Sequence, residues 1–361
     1  MNNQKKIQRF MCTVMILVMT TCIIGVCAEG NGYIAPITSF DTNGISNALI
    51  VSDEEIYLCG LAPNGSWLRK TNINNDVVSE WTFTDVVGIQ PVIQCFTVVG
   101  GSILVGLVDS YTQKAAVAIL HEDKIQYVYL PDTMKVLLSS MRADDTGLSI
   151  ISFTDTKAQR EIYHTHVSPE GITDSMLVGQ STTDDVVIAD SFSYAAGDGF
   201  YLLRMSKIEG VINNCNRELI ACDTDGQHKW NILLPEDLVI NGMDFDESNI
   251  YLYGFQRHED YNRAYMACYD FTGKFIWSQT YDDIGTIEYL TANDEIICLV
   301  GKSQRVSEQW IVYRYEKEGK QVYAQNLALP EAYKSYWSLD NSHIDLIRNI
   351  EDETWVWHID W

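Results

Sequence analysis

The sequence lacks the short motifs that usually reveal catalytic chemistry. No nucleophile elbow, phosphate-binding loop, HExxH, calcium loop or CxxC occurs in its 361 residues. Basic residues are also scarce, with 25 Lys and Arg against 49 Asp and Glu. Because phosphate binding needs a basic footprint, nucleic acid is not an expected partner, and we interpret the acidity as a solubility feature of a protein outside the cell. No catalytic, cofactor-binding or metal-binding residue is assigned.

The N-terminus has the composition of an export signal. Lys5, Lys6 and Arg9 precede an apolar run from Phe10 to Cys27 that ends before Ala28. This pattern predicts a secretory signal peptide over residues 1–28, with an uncleaved membrane anchor as the alternative and lipidation third. In each case the remaining chain, 29–361, is expected outside the membrane, secreted or at the cell surface.

Removing residues 1–28 leaves 333 residues, a net charge of −27 and six cysteines. An even number of cysteines in an oxidising compartment would normally indicate disulfides. Most of these cysteines instead lie in apolar runs typical of strands, where a thiol behaves as a small buried hydrophobe: Cys59, Cys95, Cys222, Cys268 and Cys298. We therefore expect free core thiols there, and Cys215, in a turn-like stretch, is the one residue for which a local bridge is considered.

The mature region repeats one pattern about every 48 residues. An apolar strand follows an Asp, Asn, Gly or Ser turn seven times, beginning at Ile56, Ile103, Leu148, Phe200, Ile250, Ile296 and Ile344. Helical periodicity is absent apart from at most a turn or two at 330–337. Flat units of this length are stable only when stacked, so the repeat predicts an all-β fold, a seven-bladed β-propeller of four-stranded antiparallel blades in a single domain.

Each unit divides into four short strands, most clearly between residues 238 and 281. The last unit ends one strand short at Trp361, while the stretch before the first unit has one strand too many. We expect the strand at 33–40 to become the outer strand of the final blade and close the ring. Pro36 suits that place because proline in sheets is tolerated mainly at an edge.

The corner between the third and fourth strands carries the most specific motif, Asp-x-x-Gly-x-x-x-Trp. Two units have it in full and two more have weaker copies, the members being Asp223, Gly226 and Trp230; Asp270, Gly273 and Trp277; Glu316, Gly319 and Tyr323; and Trp81. The acid is expected to close the turn, the glycine to adopt positive φ and the aromatic ring to pack on the neighbouring blade.

This corner resembles the repeat of the PQQ-like propellers, in a wider group with WD-repeat-like propellers, which includes quinoprotein dehydrogenases and non-catalytic assembly propellers. The resemblance is clear in two units and implies a blade type rather than an activity. Quinoprotein dehydrogenases carry a vicinal disulfide, and this sequence has no adjacent cysteines. The resemblance therefore implies a member without a quinone cofactor.

Three groups of residues could carry chemistry, and each has a structural alternative. Acids cluster near the turns between first and second strands, at Asp53, Glu54, Glu55, Asp144, Asp145, Asp244, Asp246, Glu247, Asp294 and Glu295. Carboxylate pairs could hydrolyse glycosides, but acids recurring in successive blades are typical of turns. His164 and His166 could chelate a metal or simply lie on a strand face, and His228 is expected to face solvent. Aromatic residues near the C-terminus could bind sugars or pack between blades: Tyr333, Tyr336, Trp337, Trp355, Trp357 and Trp361.

From sequence we therefore expect an extracellular, non-enzymatic propeller that binds a protein, peptide or glycan through its loops or central funnel. The alternative is a glycan-active hydrolase or lyase with carboxylates in the funnel. Three or more acids and a Tyr or Arg converging on one deep pocket would favour the enzyme.

Overall fold

The protein is described by a computed structural model. The described residues are 38–41, 45–51, 55–62, 65–72, 76–84, 86–88, 90–121, 124–136, 141–144, 146–155, 159–182, 192–195, 199–207, 215–223, 227–293, 295–306, 309–328, 334–339, 343–350 and 353–360. The predicted signal segment and Pro36 lie outside them. Across these ranges the regular secondary structure consists of β-strands.

In chain order the strands are β1 (Thr38–Asp41), β2 (Ile45–Val51), β3 (Glu55–Ala62), β4 (Gly65–Asn72), β5 (Val77–Phe83), β6 (Pro91–Val99), β7 (Ser102–Asp109), β8 (Ala115–His121), β9 (Lys124–Tyr129), β10 (Met141–Asp144), β11 (Gly147–Asp155), β12 (Gln159–Ser168), β13 (Gly171–Thr182), β14 (Phe192–Ala195), β15 (Gly199–Lys207), β16 (Cys215–Cys222), β17 (His228–Leu234), β18 (Leu238–Phe245), β19 (Asn249–Arg257), β20 (Asn262–Asp270), β21 (Phe275–Tyr281), β22 (Ile284–Ala292), β23 (Ile297–Ser303), β24 (Gln309–Tyr315), β25 (Gln321–Ala328), β26 (Lys334–Leu339), β27 (His343–Ile350) and β28 (Glu353–Asp360).

Within the described ranges these strands pair into seven four-stranded antiparallel sheets. Sheets 1 to 6 each take four consecutive strands, from β2–β5 to β22–β25, and sheet 7 has the order β1-β28-β27-β26. In sheet 7, β1 pairs antiparallel with β28, with Thr38 opposite Val356. The four strands predicted between residues 238 and 281 are β18 to β21, and the segment considered for a helical turn at 330–337 instead contributes β26.

The burial of the strands changes systematically across a sheet. The second and third strands of sheets 2 and 6 are largely buried on both faces, most completely in β7, where every residue is buried. The fourth strands β5, β17 and β21 instead share one alternating pattern, exposed for most of their length and buried at the last residue. In the sheets whose side chains the structure describes in this detail, the middle strands therefore lie inside the protein and the fourth strand lies at an outer edge.

The buried apolar side chains lie between consecutive sheets. Five clusters are found among the described side chains, and each joins two neighbouring sheets. The cluster between sheets 5 and 6, for example, brings Tyr251 and Met266 together with Leu299 and Tyr315. Sheets packed face to face in succession hide surfaces that a single sheet would leave wet, which is the physical reason for the repeat.

The cysteines behave largely as expected from their apolar surroundings. Cys59, Cys222, Cys268 and Cys298 are buried in strands, and Cys95 is half-buried. Cys222 and Cys268 are free thiols, and burial raises the pKa of Cys222 to about 11 and that of Cys268 to about 12. The side chain of Cys215 lies outside the described residues, so the local bridge considered for it is not addressed.

Candidate functional site

The first strands of the sheets approach one another. β6 contacts β10, β10 contacts β14, β14 contacts β18, β18 contacts β22, and β22 contacts β26. Arg142 on β10 also forms an ion pair with Asp244 on β18, although sheet 4 lies between their sheets in the chain. Such a bridge requires the first strands to face a common space, which in a propeller is the central channel.

The first strands of four sheets share a β-bulge. In sheets 1, 2 and 5 the register shifts once, at Asn47, Gln94 or Asn241, and in sheet 6 it shifts at Glu288 and a second time between Ile284 and Ile287. Each stands nine residues before the same position of the second strand, Ile56, Ile103, Ile250 and Ile297. A bulge bends the strand, and each of these sheets has a polar residue at the same level of its first strand.

The Asn241 bulge ties two sheets together. Its amide Nδ2 donates to Thr286 Oγ1 at 2.7 Å and to the Ile287 carbonyl at 3.0 Å, both on the first strand of the next sheet. These bonds satisfy the polar side chain that the bulge adds and fix the spacing of β18 and β22.

Arg142 and Asp244 form the charged centre of the site. The guanidinium donates from Nη2 to Asp244 Oδ1 and from Nη1 to the Met243 carbonyl at 2.9 Å. Asp244 Oδ2 accepts the backbone N–H of Ala292 on β22 at 2.8 Å, so this carboxylate joins three sheets. Burial lowers the pKa of Arg142, but the Asp244 charge and hydrogen bond outweigh it and raise that pKa overall, which keeps Arg142 cationic. The Arg142 side chain remains 37% exposed, against 12% for Asp244.

Two tyrosines and one acid complete what we call the channel cluster, defined as Arg142, Asp244, Tyr253, Glu288 and Tyr289. Burial, followed by the Asp244 charge, raises the pKa of Tyr289 to about 12, and burial also raises the pKa of Tyr253. Desolvation raises the pKa of Glu288, while the Lys302 charge lowers it. Both phenols therefore stay protonated at neutral pH and can donate as well as accept hydrogen bonds.

A glycine makes room for one of these phenols. Tyr253 lies on β19 opposite Gly242 on β18, and a Cβ built on Gly242 would overlap the Tyr253 hydroxyl and ring. The side chain of a second-strand tyrosine can therefore extend over the first strand only because residue 242 has no side chain.

The acids predicted near the turns divide between turn closure and the channel cluster. Asp246 closes the β18–β19 turn as expected, accepting from the N–H groups of Ser248 at 2.6 Å and Asn249 at 2.7 Å and from Tyr251 Oη at 2.7 Å. The assignment of Asp244 to that turn is wrong, because β18 continues through Phe245 and carries Asp244 to Arg142.

Glu55 is a further predicted acid whose side-chain contacts the structure describes. Glu55 begins β3, where Lys70 Nζ lies 2.6 Å from its Oε1 and Tyr57 Oη donates to its Oε2 at 2.6 Å. The Lys70 hydrogen bond is the largest influence lowering the pKa of Glu55. Asp144 ends β10, with its side chain outside the described residues, as are Asp53, Glu54, Asp145 and Asp294 altogether. The described turn acids Asp246 and Glu55 thus bind groups other than Arg142 and Asp244.

The histidines do not form a metal site with described residues. His164 is buried on β12, whereas His166 is half-exposed with its Nε2 3.1 Å from Thr146 Oγ1. Among the residues that the structure describes, no group of three or more His, Cys, Asp and Glu side chains could hold a metal ion. His228 is exposed at the start of β17, as expected.

The corner motif links sheet 4 to sheet 5. Asp270 Oδ1 accepts from Thr272 N at 2.9 Å and Lys274 N at 3.0 Å, and Gly273 has φ +83°, as the motif predicts. The Trp230 ring of sheet 4 covers Gly273 of sheet 5, and its Nε1 donates to the Phe271 carbonyl at 3.0 Å.

The same contact recurs one sheet later. Trp277 of sheet 5 covers Gly319 of sheet 6, where φ is +81°, and its Nε1 donates to the Lys317 carbonyl at 3.3 Å. The expected packing of the corner tryptophan on a neighbouring sheet is therefore confirmed at both complete copies of the motif. Gly226 lies outside the described residues.

The C-terminal aromatic residues lie mostly in strands of sheet 7. Tyr336 and Trp337 belong to β26, and Trp355 and Trp357 belong to β28. Their side chains, together with Tyr333 and Trp361, are outside the described part, so packing and sugar binding stay open for them. In the part of the chain that the structure describes, no helix is long and apolar enough to cross a membrane.

No family model and no curated protein matches the chain. Solved propellers are similar to it in fold. The β-propeller domain of the Trilobed protease from Pyrococcus furiosus aligns with a TM-score of 0.56 and 10% identity over 88% of this chain and 96% of that one. The polysaccharide lyase Uly1 aligns with a TM-score of 0.56 and 10% identity over 93% and 94%, and an oligogalacturonate lyase in complex with manganese with 0.54 and 11% over 85% and 86%. Identities this low carry the fold alone, and on that ground the chain is an all-β propeller of antiparallel sheets.

Proposed function

We propose that this chain is an exported, non-enzymatic propeller that binds a protein, peptide or glycan ligand at the channel cluster. The observation that carries the proposal is the engagement of Asp244. Both of its oxygens are occupied, one by Arg142 and the other by the Ala292 N–H. Glu288 is then the one carboxylate of the cluster that has no hydrogen bond to a described residue. Acid–base chemistry on a glycosidic bond uses two carboxyl groups.

The architecture we propose is a ring of seven blades of the PQQ-like type, without a quinone cofactor, closed by β1. Support comes from the seven sheets, from the contacts between consecutive sheets and from the pairing of β1 with β28. β2 also contacts β26 and β27, which brings the first sheet against the last. The corner tryptophans support the blade type.

The export proposal rests on residues 1–28, with the mature chain secreted or held at the cell surface. Mass spectrometry of the protein recovered outside the cell tests it. We expect a chain that begins after Ala28; a chain that retains the basic residues at its start would favour the uncleaved anchor.

A glycan-active lyase or hydrolase is the second candidate. It is favoured by the presence of a cation, two phenols and a desolvated acid in one cluster, and by the two lyases of similar fold. A glycan and peptidoglycan binding array, combined with a turnover assay on every ligand that binds, separates the two. Binding without product supports the binding function, and the release of shortened or unsaturated sugars would replace it with the enzyme.

A further inference from the structure

We propose that the channel cluster takes a neutral, polyhydroxylated ligand, a glycan without uronate or amino groups, rather than a charged glycan or a peptide. This inference rests on the proposed binding function and narrows its ligand class. It follows from the hydrogen-bonding groups of the cluster, from its charge and from the way Gly242 admits Tyr253.

The cluster offers donors and acceptors in nearly equal measure. Arg142 uses two of its donors on described residues, Asp244 and the Met243 carbonyl, and a guanidinium has about five N–H groups. The hydroxyls of Tyr253 and Tyr289 are each donor and acceptor, and Glu288 contributes a carboxyl group. Sugar hydroxyls also donate and accept, so a ring with several of them can satisfy such a mixed set.

The charges of the cluster argue against an ionic ligand. Arg142 and Asp244 neutralise each other, and Glu288 adds at most one negative charge beside them. An anionic glycan would meet two carboxylates within a chain of net charge −24. A Lys or Arg side chain of a peptide that approached Asp244 would meet the Arg142 guanidinium already bound there. A neutral ligand avoids both penalties, and the half-buried tyrosine rings offer apolar faces to the C–H surfaces of a sugar.

Gly242 provides a way to test the position of Tyr253. Because a Cβ at residue 242 would overlap the tyrosine hydroxyl, Gly242→Ala should displace the phenol without removing it. The effect of Gly242→Ala on binding should therefore resemble that of Tyr253→Phe.

The experiment is calorimetric titration of the purified protein with a defined panel. The neutral probes are cellohexaose and mannohexaose, the anionic probe is hexagalacturonate, and the peptide probes are an oligolysine and an oligoglutamate. Tyr253→Phe and Tyr289→Phe remove one hydroxyl each, and Tyr323→Phe is the matched control because its hydroxyl donates to Gln325 on the outer strand β25. Urea unfolding of each variant verifies that it is folded.

We expect a neutral probe to bind, with affinity falling about tenfold in each channel variant and unchanged in the control, as for the loss of one good hydrogen bond. Neutral binding that is insensitive to both channel variants overturns the inference. Hexagalacturonate or peptide binding that is sensitive to them also overturns it, yet leaves the proposed binding function standing. Turnover of a bound probe, or no binding by any class, defeats the proposed function itself.

Discussion

The contact between Trp230 and Gly273 permits a controlled test of how the sheets hold together. A Cβ on Gly273 would lie 3.0 Å from atoms Cδ2 and Cε3 of the Trp230 indole ring, closer than side chains normally approach. Gly273 also has φ +83°, a conformation that costs other residues about 1–2 kcal/mol. Gly273→Ala should therefore destabilise the protein by this backbone cost and by about 1–3 kcal/mol more, because the new methyl group overpacks against the ring.

Gly101 supplies the matched control. Its φ is +80°, but a Cβ there would have nothing within 4 Å. Gly101→Ala should carry the backbone cost alone, so the difference between the two variants isolates the contact with the ring. Gly319→Ala, with φ +81° and the Trp277 ring at 3.0 Å, should repeat the Gly273 result one sheet later.

Equilibrium urea unfolding, followed by far-ultraviolet circular dichroism and tryptophan fluorescence, measures these free energies of unfolding. We expect Gly273→Ala and Gly319→Ala to be less stable than Gly101→Ala by about 1–3 kcal/mol. Equal destabilisation of all three variants would refute the idea that the indole rings join one sheet to the next.

Three further predictions concern ionisable groups. In a double-mutant cycle, Arg142→Gln and Asp244→Asn should each destabilise the fold, with a coupling energy of about 1 kcal/mol because Arg142 is partly screened by solvent; additive effects would contradict a pair across sheets. Because the pKa of Glu288 is raised, the folded state binds its proton more tightly than the unfolded state, so a penalty present at neutral pH is relieved as pH falls through the folded pKa. Glu288→Gln should then stabilise the protein at pH 7 and lose this advantage in acid, as urea midpoints across pH will show. Cys222 and Cys268, with raised pKa values, should resist a thiol reagent in native protein and react after unfolding; rapid native labelling of both, located by peptide mapping, would contradict their burial.

Much of the strand pattern could be predicted because the repeat depends on residues that are close in sequence. The turn acid Asp246 and the corner residues Asp270, Gly273 and Trp277 act on neighbours in the chain or at one repeat distance, so their spacing carries the information. The predicted start at Ile296 is one residue early, since Ile297 is the partner of Ala292; two consecutive isoleucines hid the register.

The channel cluster could not be predicted in the same way. Arg142 and Asp244 are separated by 102 residues, which is two repeats, and they stand six residues before the equivalent positions Leu148 and Ile250. The spacing therefore gives their level in the sheets but does not show that the two side chains meet across sheet 4. Their pairing depends on how the first strands face one another. The bulge residues are visible in the sequence, since Asn241 and Glu288 each stand nine residues before equivalent positions of the repeat. A polar residue in one strand is an ordinary feature, however, and its meaning is clear only when several sheets are compared.

The tryptophan contacts have a consequence for how such a chain can be cut and rejoined. Each indole meets a corner about 40 residues further along, so half of every contact is encoded in the following repeat. Removing the repeat of sheet 5, cut at equivalent points, would place the Trp230 ring opposite Gly319, the corner glycine of sheet 6. A cut between a corner and its own fourth strand would separate the turn from the indole that follows it in the chain. A whole repeat, with its corner and its fourth strand, is therefore the natural unit of exchange.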